Sequence, residues 1–186
     1  MGSNELVGPF GIQRDSITGT LYIADQDSDR IVSYSLNASF GNVIIENNLT
    51  LANRPISLYY DSFSKSLLIA NYNSHNVIRW FLERNSSQLC IGTLPGSPGS
   101  TSIRLNRPTD VTLDPMGNIY IADYNNHRIQ FFAIDQSNGS TIAGMTSTLG
   151  NTSDLLNLPF SIDLDSQLNL YVADSANHRI QKFVRY

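Results

Sequence analysis

Three pairs of oppositely charged residues stand five positions apart: Asp25 with Arg30, Asp123 with Arg128, and Asp174 with Arg179. Across a tight turn this spacing lets a carboxylate and a guanidinium meet, and a single such pair would read as an acid–cation couple for catalysis. Three copies argue for a structural staple instead, because a reaction centre needs only one. His75, His127 and His178 are the only histidines, and they too fall at one recurring position. Three imidazoles suggest a zinc site. In successive copies of a repeat, however, they stand at separated points, so turn capping is expected of them. Asp15, Asp61, Asp114 and Asp165 each close an apolar run and are expected to form turns. Asp110 and Asp163 interrupt such runs where other copies carry Gly11 or Ser57, and are expected to line a central channel, facing a cation or polar ligand. Cys90 has no partner within the chain. It is expected to be a buried strand thiol acting as a small hydrophobe, the alternative being half of a bridge to another chain. No Ser/His/Asp nucleophile arrangement, CxxC pair or phosphate-cradling glycine loop is present. The sequence therefore assigns no catalytic residue, no metal ligand set and no cofactor.

The elements that position these residues recur. Segments opening at Pro9, Pro55, Pro108 and Pro159 align, with prolines 46, 53 and 51 residues apart. The acid or amide after the second apolar run (Asp25, Asn71, Asp123, Asp174) keeps steps of 46, 52 and 51. Within each copy the first run alternates, as in Ile56, Leu58 and Tyr60 against Ser57, Tyr59 and Asp61, and this period of two marks a strand. The second run is apolar throughout (21–24, 67–70, 119–122, 170–173), which fits a strand covered on both faces. A shorter third run follows (77–81, 128–132, 179–183), then a Ser/Asn/Gly/Thr-rich stretch carrying one more apolar run at 43–45, 89–91 and 140–143. Apolar residues at helical spacing never persist, so no helix is expected. Four antiparallel strands every ~50 residues make one blade of a β-propeller.

The segment R-P-T-D-V-T-L-D-P-M-G-N-I-Y-I-A-D-Y-N-N-H-R-I-Q-F-F, and the copy from Pro159 almost as closely, resembles the NHL repeat. The first copy departs with Ser28–Asp29–Arg30, and the second with His75–Asn76 and Asn71 in place of Asp. The resemblance implies an all-β chain: a propeller domain over 1–186 with repeat cores at about 7–34, 54–81, 107–132 and 158–183. It also implies an open segment of a five- or six-bladed propeller. The last copy ends just past its third strand, and Glu5–Val7 is too short to supply a fourth. Edges left open would favour further blades or self-association. The functional reading is a non-catalytic module that binds protein or glycan within a larger extracellular protein. Two rivals follow from the resemblance: a metal-dependent propeller enzyme similar to peptidyl amidating lyases or lactonases, and the propeller of a RING-type ubiquitin ligase or RNA-binding regulator.

Composition narrows these classes. A net charge of −4 disfavours a phosphate backbone as partner, and no run approaches the ~20 apolar residues that span a membrane. The opening residues are not a signal peptide, since a charged region followed by an apolar one is lacking. Five N-x-[ST] sequons, at Asn37, Asn48, Asn85, Asn138 and Asn151, all fall between the repeat cores. With only Lys65 and Lys182 as lysines, they point to an extracellular or luminal glycoprotein.

Overall fold

A computed structural model describes residues 5–46, 51–94 and 96–184. The chain is a β-propeller of successive antiparallel blades. Blade 1 holds β1 (Pro9–Arg14), β2 (Leu21–Asp25), β3 (Arg30–Tyr34) and β4 (Asn42–Ile45). Blade 2 holds β5 (Pro55–Asp61), β6 (Ser66–Asn71), β7 (Asn76–Phe81) and β8 (Ser86–Ile91). Blade 3 holds β9 (Pro108–Leu113), β10 (Ile119–Asp123), β11 (Arg128–Phe132) and β12 (Ser140–Gly144). Blade 4 has three strands among the described residues: β13 (Pro159–Leu164), β14 (Leu170–Asp174) and β15 (Arg179–Phe183). In every sheet the strands follow chain order, each paired with the next. The corner between second and third strands is a single 3₁₀ turn in blades 1, 3 and 4 (Gln26–Ser28, Tyr124–Asn126, Ser175–Asn177). Apolar periodicity cannot reveal a helix that short.

The second strands of blades 2 and 3 are apolar on both faces because each of these blades lies between two others, and blades 1 and 4 repeat the pattern with one face covered. Tyr22, Ala24 and Ile31 of blade 1 form one cluster with Leu58, Ile69, Ile78 and Trp80 of blade 2. Leu68, Ala70 and Val77 meet Val111, Ile121 and Phe132 at the next interface, and Tyr120, Ala122 and Ile129 meet Ile162 and Val172 at the third. Each fully buried aliphatic contributes about 1.5–3 kcal/mol, so the blades are held together chiefly by these three layers. The inner strands lie side by side, β1 against β5, β5 against β9, and β9 against β13. The two ends are uncovered. Ile180, the counterpart of the buried Ile31, Val77 and Ile129, is 67% exposed, and Ile12, the counterpart of buried Leu58, is 56% exposed.

Turns between first and second strands follow the aspartates that the sequence marks. Asp114 Oδ1 accepts the N–H groups of Met116 (2.9 Å) and Asn118 (3.0 Å), and Asp165 Oδ1 does the same for Gln167 and Asn169. These bonds fold the chain back tightly, and with Asn169 they hold the Asp165 carboxyl down at about 2.

Candidate functional site

Each Asp–Arg pair closes its corner. Arg30 Nε donates to Asp25 at 2.6 Å, Arg128 Nε to Asp123 at 2.7 Å, and Arg179 Nε to Asp174 at 2.8 Å. The other carboxylate oxygen accepts a backbone N–H from the segment leading into the same blade: Val7, Asn106 and Asn157 respectively. Arg128 also donates to the carbonyls of Ser100, Thr101 and Arg104 and to Thr146 Oγ1. Blade 2 replaces the ion pair with a neutral one, Asn71 Nδ2 donating to Asn76 Oδ1 at 3.1 Å. At these corners the carboxylates and guanidiniums hold the loops leading into their blades. Burial lifts the Asp123 carboxyl above its ordinary value despite its hydrogen bonds. At Asp174 burial pushes the same way, but the donors Asn157, Asn177, Arg179 and Gln181 outweigh it and the carboxyl sits low. The difference follows from position, since nothing among the described residues covers the outer face of blade 4.

The histidines are kept apart, and among the described residues no group of three or more His, Cys, Asp or Glu side chains is placed to hold a metal ion. Two of them do something the sequence reading missed. His75 and His127 take up left-handed backbone (φ 50° and 54°), a conformation in which His, Asp and Asn are enriched. Their Nδ1 atoms reach into the following blade and accept the N–H of Arg107 (3.0 Å) and Leu158 (3.1 Å). Asp29 fills that place in blade 1, accepting the Arg54 N–H at 2.6 Å. Each recipient directly precedes the proline that opens an inner strand, and each is itself left-handed (φ 52°, 56° and 53°). Accepting at Nδ1 requires a neutral ring. Burial pushes both imidazoles below the ordinary value, with Arg107 adding to the effect at His75. His178 has the same backbone (φ 53°), and its ring makes no hydrogen bond among the described residues.

Asp110 sits among the inner strands, where its carboxylate accepts four hydrogen bonds. Ser57 Oγ donates to Oδ1 at 2.6 Å and Ser161 Oγ to Oδ2 at 2.7 Å, while the N–H groups of Val111 and Ile162 take up the rest. One carboxylate thus joins blades 2, 3 and 4. Burial raises it above the usual carboxylate range against the pull of all four donors. Asp163 is exposed and accepts the N–H of Leu164. Cys90 is half-buried in β8 rather than fully enclosed, because it faces a cleft of about 970 Å³ between blades 2 and 3, and burial pushes its thiol up. Asn37, Asn85, Asn138 and Asn151 are exposed in connections between strands, and Asn48 lies outside the described residues.

A further feature lies at the mouth of the ring, on the face that carries the Asp–Arg corners. Four aromatic rings follow one another across it. Tyr72 is 6.4 Å from Tyr124, Tyr124 is 5.9 Å from Phe160, and Phe160 is 5.7 Å from Phe10, centroid to centroid. The two tyrosines directly follow the corner residues Asn71 and Asp123; the two phenylalanines directly follow the opening prolines of blades 1 and 4. Arg54 and Arg107 place their guanidiniums over Tyr72, at 5.5 and 5.2 Å from its centroid, and both are exposed. No sequence pattern shows this arc, since the four rings come from two unrelated register positions. The one available hint was that aromatics stand beside marked corner and proline positions.

The family model for the NHL repeat matches residues 105–132 and 156–183, the cores of blades 3 and 4. Blades 3 and 4 are thus NHL repeats. The human NHL repeat-containing protein 3 is 28% identical over 185 residues, covering 94% of the chain and 51% of that protein, so the chain spans about half the length of this curated relative. Among solved structures, an auxiliary nutrient binding protein from Bacteroides thetaiotaomicron superposes with a TM-score of 0.74 at 18% identity, over 92% of this chain and 46% of that one. Virginiamycin B lyase from Staphylococcus aureus gives 0.71 at 19%, over 99% and 55%. One of these similar folds belongs to a binding protein and one to an enzyme, so the role of this propeller has to be argued from its own side chains.

Proposed function

We propose that this NHL-repeat propeller is a non-catalytic binding module that engages a protein or glycan ligand across the mouth of its ring. One observation carries the reading: the contiguous arc Tyr72–Tyr124–Phe160–Phe10, flanked by two exposed arginines, on a face whose acids and imidazoles are otherwise committed to holding blades together. Rigid aromatic rings give large contact area at little entropic cost, and Arg and Tyr dominate binding hot spots. The exposed sequons at Asn37, Asn85, Asn138 and Asn151 support placing the module outside the cell or in a lumen, as part of a longer glycoprotein.

The test is a panel of defined oligosaccharides and peptides read by biolayer interferometry against the wild-type chain and a Tyr72→Ala/Tyr124→Ala variant. Both rings are half-buried at the rim, so the variant is expected to keep its melting temperature within a few degrees and lose binding at least tenfold. Binding that ignores both substitutions, or saturable turnover of any panel member, would sink the proposal.

A further inference from the structure

We infer that the ligand of this face is an extended acidic peptide, bound with alternate side chains on successive rings. The inference rests on the mouth being the binding face. The spacing carries it. In an extended strand residues i and i+2 point the same way and lie roughly 6.6–6.8 Å apart. The rings repeat at 6.4, 5.9 and 5.7 Å, close to that interval over three consecutive steps. A segment of about seven residues therefore brings positions 1, 3, 5 and 7 over Tyr72, Tyr124, Phe160 and Phe10 in turn.

Charge sets the direction. Arg54 and Arg107 both stack on Tyr72 and both are exposed, which places two guanidiniums beside a carboxylate at position 1, and guanidinium–carboxylate geometry rewards such a pair. The opposite end is acidic: Asp27 is exposed and lies against Gly8, two residues from Phe10. A peptide acidic at position 1, apolar at 3, 5 and 7, and without acid at its far end matches both gradients.

The probe is fluorescein-labelled Asp-Ser-Phe-Ser-Leu-Ser-Phe, titrated by anisotropy with the full chain. Three comparisons accompany it: the same peptide with Lys at position 1, a scrambled Asp-Phe-Leu-Phe-Ser-Ser-Ser, and a labelled heparin hexasaccharide. Binding of the alternating peptide, weakened at least tenfold by scrambling or by Lys, supports the inference. So does a loss of about tenfold in the Arg54→Glu/Arg107→Glu variant with a melting temperature changed by no more than a few degrees, because both side chains are exposed and stack on the surface ring of Tyr72. Equal binding of the scrambled peptide overturns it. Binding of the hexasaccharide without the peptide, abolished by Tyr72→Ala/Tyr124→Ala, overturns the ligand class and leaves the binding face standing. Failure of every probe, with the wider panel also silent, removes both.

Discussion

Replacing Arg128 with Ala should cost far more than replacing Arg179, although both occupy the same place in the same motif. The Arg128 side chain is 3% exposed and its partner Asp123 is 0% exposed. Without the guanidinium, Asp123 keeps the Asn106 N–H and Asn126 amide bonds but becomes a buried carboxylate with no counter-ion, and the carbonyls of Ser100, Thr101 and Arg104 lose their donor. Removing one member of a buried pair costs about 3–5 kcal/mol. The Arg179 side chain is 30% exposed; its partner Asp174, though itself 0% exposed, keeps the Asn157, Asn177 and Gln181 donors, and the carbonyls of Asn151 and Thr152 lie at the surface, where water replaces a lost donor. That substitution should cost about 1 kcal/mol, in the range of solvent-screened pairs. For a chain of this size 1 kcal/mol corresponds to about 2–4 °C. The melting temperature, followed by circular dichroism at pH 7.5, should thus fall by about 6–20 °C for Arg128→Ala and by about 2–4 °C for Arg179→Ala. A further signature separates this cause from lost packing. Burial already raises the Asp123 carboxyl, and losing Arg128 raises it further, so lowering the pH protonates it sooner in the variant and narrows the gap to wild type. Equal losses for the two variants, or a gap that widens on acidification, would refute the reasoning.

Two further outcomes follow from the latches between blades. His75 and His127 are held below their ordinary value, so their contribution to stability is complete above about pH 6.5 and declines as the pH falls below it, where the unfolded rings take up protons first. His127→Ala should flatten that decline and cost about 1 kcal/mol at pH 7.5, whereas His178→Ala should leave the melting temperature unchanged; urea titrations at pH 7.5 and 5.5 check both. Asp110→Ala should lose about 1–3 kcal/mol because the buried Ile162 N–H is orphaned, and Asp110→Asn should recover part of that through its remaining oxygen; the order of their urea midpoints is the measurement.

The blade was legible in the sequence because its signals are local. Alternation along 55–61, an apolar run at 67–70 and an acid–arginine spacing of five each report on residues that meet within one hairpin. The relations between blades were hidden. Asp110 reads as a channel carboxylate when its own strand is considered alone, and only assembly brings Ser57 and Ser161, 53 and 51 residues away, to its two oxygens. His75 and His127 look like turn residues because they are turn residues, and the N–H that each accepts stands 32 or 31 positions on. The aromatic arc was least legible, since Tyr72 and Phe10 hold different places in the repeat and become neighbours of neighbours through the curvature of the ring.

The grip of Asp29, His75 and His127 always points forward, from one blade to the residue before the next proline. Each unit therefore carries its own hook at one end and its own eye at the other, the residue before the opening proline being left-handed in all four units (Gly8, Arg54, Arg107 and Leu158). A duplication or deletion that respects this boundary joins hook to eye without altering a single neighbour. One that cuts inside a unit strands both halves. Gain and loss of whole blades is thus the cheap route by which a gene of this kind changes length.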